Sequence, residues 1–120
     1  TSMNIDSFHY MENLRKIILP LPCTEEYTCF GTPAFRVKKK LMARLKEDGL
    51  TLAIHSEERE VWMRKNAEVF FITDHYKNYP MMLINLSLVK QADLKKILVD
   101  AWKQIAPKKI LKEYEQNHSS

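Results

Sequence analysis

The sequence predicts an α+β domain around an antiparallel sheet of about six short strands, on three observations. Apolar residues near the N-terminus recur at helical spacing. Between residues 24 and 55 the pattern switches to alternation with period two, broken by turn-forming pairs. A second long helical stripe follows residue 90.

The first helix is expected from about Asn4 to Leu19, with Phe8, Met11, Leu14 or Arg15, and Ile18 on one stripe and Tyr10 and Ile17 beside it. Asn4 or Asp6 can cap it, and Pro20 with Pro22 ends it. Residues 24–29 read as a strand. Phe30-Gly31-Thr32-Pro33 then reads as a turn, since glycine tolerates positive φ and proline lacks a backbone donor. In 34–38, Phe35 and Val37 point one way and Arg36 and Lys38 the other; in the next run Leu41, Ala43 and Leu45 oppose Met42, Arg44 and Lys46. Pairing across Asp48-Gly49 sets Leu45 opposite Leu52 and Ala43 opposite Ile54, which puts both apolar sets on one face. The meander therefore has one face toward water.

Ser56 is expected to cap a short helix through Lys65, with Glu57 and Glu58 in its first turn and Asn66 ending it in the left-handed conformation. Val69 to Thr73 and Met81 to Leu86 read as strands around a Tyr76–Pro80 loop. The last long helix spans about 91–106, with Leu94, Ile97, Leu98, Ala101 and Ile105 on one face and Trp102 anchoring it to the sheet. Pro107 suits the first position of another helix.

A chain of 120 residues fits one domain, expected over residues 3–116, with Thr1-Ser2 a cloning remnant and 117–120 a frayed tail. Such a length buries a core without metal or disulfide support. No apolar run approaches the roughly 18 residues of a membrane span. No secretory leader pattern precedes the first helix. If extended, Cys23 and Cys29 lie about 20 Å apart, beyond the ~7 Å a disulfide can bridge. Free thiols and a cytoplasmic location are therefore expected.

Charge placement says more than the net +4. Arg36, Lys38, Lys39, Lys40, Arg44 and Lys46 form one acid-free block, and Lys103, Lys108, Lys109 and Lys112 a second. By parity Arg36, Lys38, Lys40, Arg44 and Lys46 share the water-facing side, with Lys39 at the turn, and Glu25 is expected opposite Lys38. Such a surface engages successive phosphates, and a two-stranded ribbon fits a major groove. A solvated sheet face whose cations discourage aggregation is the competing structural account. Tyr76, Lys77, Tyr79 and Arg64 could add an aromatic and basic rim, or the tyrosines could simply brace their loop.

Reaction chemistry is not visible. The four histidines show no close pairing, neither cysteine belongs to a Cys-x-x-Cys pair, and two glycines make no phosphate-cradling loop. No catalytic residue, metal ligand or cofactor is assigned. A Cys29 nucleophile with His55 or His75 as base would need the fold to join them.

Four motifs occur in order: Leu21-Pro22; Phe30-Gly31-Thr32-Pro33-Ala34-Phe35-Arg36-Val37; His75-Tyr76-Lys77-Asn78-Tyr79-Pro80; and Ala101-Trp102 with Ala106-Pro107. In these the chain resembles the MmcQ/YjbR family of small bacterial proteins, departing at Met81, where relatives are expected to carry tryptophan. The resemblance implies a frataxin-like fold, with helices on one face of a curved antiparallel sheet. It also implies DNA binding and no firmly attached catalytic activity. The analogy with frataxin adds iron binding, for which Asp6, Glu12, Glu25 and Glu26 are too few and too interspersed with cations. The reading is a non-enzymatic module, monomeric or weakly dimeric, binding duplex DNA with little sequence specificity. Arg36, Lys38, Lys39, Lys40, Arg44 and Lys46 would contact phosphates, with Tyr76, Lys77 and Tyr79 as secondary contacts. An adaptor domain recognising an acidic protein is the alternative. Charge reversal at Arg36, Lys38 and Arg44 together is expected to abolish DNA binding while sparing stability.

Overall fold

The computed structural model describes the backbone of residues 5–118 and the side chains of residues 8–116. Asn4, one of the two expected caps, and Thr1-Ser2 lie outside those residues, whereas Asp6, the other, is already helical and so does not cap. Helix α1, Ile5–Ile18, buries Met11, Leu14 and Ile18, with Tyr10 and Ile17 half-buried beside them. Phe8 was expected on this stripe but is 56% exposed. At about 100° per residue the buried arc runs from Met11 toward Ile17, so Phe8 falls roughly 60° beyond its edge.

Six strands form one open antiparallel sheet in the order β1-β2-β3-β4-β6-β5: β1 Thr24–Cys29, β2 Thr32–Val37, β3 Lys40–Leu45, β4 Thr51–His55, β5 Phe70–Phe71 and β6 Met81–Asn85. The β1–β2 turn is only Phe30-Gly31, both with positive φ (52° and 80°), and Thr32 and Pro33 already belong to β2. Positive φ at both central residues matches the twist of the flanking strands, which is why a two-residue loop suffices. Leu45 pairs with Leu52 and Ala43 with Ile54, as parity predicts. Across the last hairpin Asp48 accepts the amides of Leu50 and Thr51, and Gly49 takes φ 68°.

The β2–β3 pair departs from simple alternation. Phe35 faces Ala43 but Arg36 faces Leu41, so Met42 is an extra residue on β3. A bulge of this kind shifts every side chain beyond it by one face. Met42 is consequently in the core, Leu41 joins Arg36 on the opposite face, and Lys40 falls beside Val37 on the helix side. The two-residue turn between these strands is Lys38-Lys39, with Lys38 at φ 62°.

Helix α3, Gln91–Ile105, lays Leu94, Ile97, Leu98 and Ala101 over the same sheet face that α1 covers. Trp102 is fully buried, donates its indole N–H to Pro22 O at 2.8 Å, and stacks at 4.8 Å against Tyr114 of α4, Lys108–His118. Leu111 N donates to Pro107 O, so Pro107 caps α4 rather than occupying its first turn. Helix α4 also continues into the tail expected to fray.

Helix α2, Arg59–Lys65, starts later than predicted. Ser56 is buried with its amide on Pro80 O, and Glu58 precedes the helix without a side-chain cap. Asn66 is extended, because its carbonyl turns to accept the amides of Val69 and Phe70. That turn shortens the expected Val69–Thr73 strand to the pair Phe70–Phe71.

Arg15 clamps Glu26 with two bonds of 2.7 and 2.9 Å, tying α1 to the edge strand β1. The guanidinium holds the Glu26 carboxyl below its ordinary value near 4.5, partial burial notwithstanding. A lowered folded pKa means that the contribution is complete above about pH 5 and is lost as pH falls through the folded value. Both partners are a third exposed, so it amounts to about 1 kcal/mol or less. Glu26→Gln is expected to lower the thermal midpoint by a few degrees at pH 7 and to flatten its decline below pH 5, measured by calorimetry across pH.

Candidate nucleic-acid interface

Residues directly opposite on paired strands share a face, so register assigns every cation. One row across the sheet runs Tyr27, Ala34, Arg44, Ala53, Leu83 and Phe71, on the side away from α1 and α3. Arg36 and Lys46 lie on this side too. They do not form a bare positive plane.

Arg36 pairs with Glu25, its direct cross-strand neighbour, and its guanidinium lies 4.4 Å from the Tyr27 ring centroid. Glu25 thus stands opposite Arg36, not Lys38; Thr24 pairs with Val37, and Lys38 is in the turn. Arg44 is 7% exposed, bonds Glu47 at 2.5 Å and Cys29 O at 3.2 Å, and stacks 5.3 Å from the Phe30 ring. Its reversal would leave a buried carboxylate without partners, so the expectation that reversal at Arg36, Lys38 and Arg44 spares stability is withdrawn. Lys46 donates to Tyr76 Oη at 3.1 Å and lies over its ring.

The loop between β5 and β6 folds back over this side, which is why Ala53 and Leu83 are buried although they face away from the helices. Arg59 holds it in place. Its Nη1 donates to Tyr76 O, Tyr79 O and Met81 O at 2.8, 2.5 and 2.9 Å, and Nη2 to Lys77 O at 2.9 Å. Sequence reasoning passed over Arg59, whose partners are backbone carbonyls that leave no trace in residue type. The loop is thereby braced. Tyr76 is half-buried, His75 packs edge-on against it at 4.8 Å, and Lys77 and Tyr79 remain exposed.

Among the described residues, the lysine side chains of the two blocks that carry no ion pair or ring contact gather at one end. Lys38 and Lys40 line a cleft of about 500 Å³ with Lys103 and Lys108, over a floor that includes Val37, Ile105, Ala106 and Leu111. No carboxylate lines it. Lys39 is exposed in the adjoining turn, and Lys109 and Lys112 follow on α4. The start of α4 adds the positive end of its dipole. The bulge that removes Lys40 from the open face is what delivers it here. The two lysine blocks, far apart in sequence, therefore meet in space.

The remaining chemistry is scattered. Cys29 pairs with Thr32 at the end of β1 next to the Phe30-Gly31 turn, whereas His55 pairs with Met81 three strands away at the opposite end of the strands, so the register does not join them as nucleophile and base. Burial and a hydrogen bond with the Cys29 thiol push the Tyr27 phenol up. His55 approaches Glu57 at 3.4 Å. Glu12 and Glu26 are both engaged by Arg15. Among the described residues no three His, Cys, Asp or Glu side chains are grouped as a metal ion would require, and no helix is long and apolar enough to cross a membrane. Both cysteines are free thiols.

Comparisons place this geometry among known proteins. The YjbR family model matches residues 19–104. Uncharacterised proteins of Mycobacterium tuberculosis and Mycobacterium bovis are 27% identical over 74 residues, 62% of this chain and 51% of theirs. The chain thus spans about half the length of those relatives. A crystal structure of a Deinococcus radiodurans protein carrying a DUF419 domain superposes with a TM-score of 0.71 at 19% identity, covering 89% of this chain and 86% of that one.

Cutting the Arg59 clamp tests how the loop is held. Arg59→Met is expected to cost about 2 kcal/mol and to speed amide hydrogen exchange at residues 76–81, leaving α3 protected.

Proposed function

The chain belongs to the YjbR family, and we propose that it is a non-enzymatic module that binds the phosphate backbone of duplex DNA with little sequence specificity. The observation that carries this reading is the convergence of Lys38, Lys40, Lys103 and Lys108 around a cleft without carboxylates, with Lys39 beside it. Cations held on two different elements, the β2–β3 turn and the α3–α4 junction, can meet successive phosphates and release their counterions. Contacts of this kind fix position without reading bases.

The other cations take supporting roles. Arg36 stays partly exposed and adds a phosphate contact at the cost of weakening its Glu25 pair. Arg44 and Lys46 act by holding Phe30 and Tyr76. Lys77 and Tyr79, exposed on the braced loop, are secondary contacts.

The test is an anisotropy titration of a blunt duplex of arbitrary sequence across ionic strength. Four to five lysine–phosphate contacts give a log–log salt slope of about −4 and low-salt dissociation constants in the micromolar range. Lys38→Glu, Lys40→Glu and Lys103→Glu combined should weaken binding at least tenfold and flatten the slope, with the thermal midpoint nearly unchanged because these side chains are exposed. No binding at low salt, or an unchanged slope in the triple variant, would count against DNA and for an acidic protein as the occupant of the cleft.

A further inference from the structure

Phe30 occupies an unfavourable backbone position without serving the core. Its φ of 52° is a conformation that a bulky side chain rarely adopts, in a turn position suited to asparagine, aspartate or glycine. Its side chain is 88% exposed. Gly31 beside it also has positive φ, and a Cβ there would meet nothing within 4 Å. Residues held in sparsely populated backbone regions cluster at functional sites.

One side of the ring meets a guanidinium. Arg44 stacks against it at 5.3 Å and is itself fixed by Glu47 and Cys29 O. A hollow of about 250 Å³ adjoins the ring, bounded by Pro33 of β2, Leu45 of β3, and Lys46, Glu47 and Gly49 of the neighbouring β3–β4 turn. Among the described residues, no other exposed large apolar side chain belongs to either turn. A protein anchor normally sits within an apolar patch that excludes water. A lone flat ring backed by a guanidinium suits another flat ring, and an unpaired base is the flat ring that DNA offers.

We propose that Phe30 is a stacking platform for an unpaired nucleobase, so that the protein prefers DNA in which a duplex ends in a single-stranded overhang. This rests on the phosphate-binding reading above and refines it. The Lys38-Lys39 turn and Phe30 lie at opposite ends of β2, about 20 Å apart, so one DNA can touch both. The lysine cleft takes duplex phosphates, and Phe30 takes a base that no partner strand holds.

The experiment compares a blunt duplex with the same duplex carrying a short unpaired overhang, by anisotropy at fixed salt. The native protein should bind the overhang DNA about tenfold or more tightly, the scale of one base–aromatic stack. Phe30→Ala should erase that difference while leaving blunt-duplex affinity intact, and Phe30→Trp should retain it. Phe30→Asn should also erase it while raising the thermal midpoint, since asparagine tolerates positive φ; a sharply lower midpoint would make Phe30 structural and overturn the proposal. Blunt-duplex binding without overhang preference, or a preference surviving Phe30→Ala, overturns this inference alone. Failure to bind either DNA removes the phosphate-binding reading and this one together. Loss of self-association in Phe30→Ala, seen by light scattering with overhang preference unchanged, would assign Phe30 to a protein contact and overturn it.

Discussion

Two cross-strand pairs, Phe35 with Ala43 and Arg36 with Leu41, are separated by one residue on β2 and two on β3, and that mismatch governs much of the molecule. Because side chains alternate, one inserted residue exchanges the faces of everything between it and the next turn. Met42 enters the core, where it is fully buried. Lys40, which unbroken alternation would place next to Arg44 and Lys46, is carried to the helix side beside Val37. Without the bulge, the end of the sheet under α3 and α4 would lack that lysine, and the opposite face would gain it.

The same register explains why the open face does not behave as a positive plane. Its arginines meet carboxylates at close range, Arg36 with Glu25 and Arg44 with Glu47, and each also covers an aromatic ring. Lys46 is drawn under Tyr76 by a loop that Arg59 secures. These groups spend their charge within the fold, where planar guanidinium geometry serves ion pairing and ring stacking at once. Lysines in the turn and on α4, surrounded by water and by one another, retain theirs. Local field strength therefore follows the absence of acids, not the local count of cations.

Much of the architecture was legible in the sequence because independent signals agreed. Alternation on both sides of Asp48-Gly49 predicted the pairing of Leu45 with Leu52, and helical spacing predicted the buried face of α3. The bulge was not legible. Leu41, Met42 and Ala43 are all apolar, so either phase of alternation satisfies the run, and only the partner strand decides. Arg59 was missed because a guanidinium bonded to carbonyls carries no sequence signature. Ser56 misled for a related reason: a residue suited to capping was instead buried where its amide meets Pro80 O. The candidate site was half legible. Both lysine blocks could be counted, but their meeting depends on where α3 ends relative to the β2–β3 turn, which is a tertiary fact.

The two ends of β2 differ in chemistry in a way that suits one elongated polyanion better than a compact ligand. At one end are flexible ammonium groups around a broad cleft, which tolerate variation in phosphate position because lysine acts as a point charge. At the other is a single exposed ring backed by a buried arginine, and the partner proposed for it is flat. A small ligand could satisfy one end only. A nucleic acid carries phosphates and flat rings in fixed alternation along its length, and a rigid sheet sets the distance between the two kinds of contact. On this view the bulge at Met42 departs from regular strand geometry, while the regular two-residue turn at Phe30-Gly31 carries an aromatic ring where asparagine or glycine is usual.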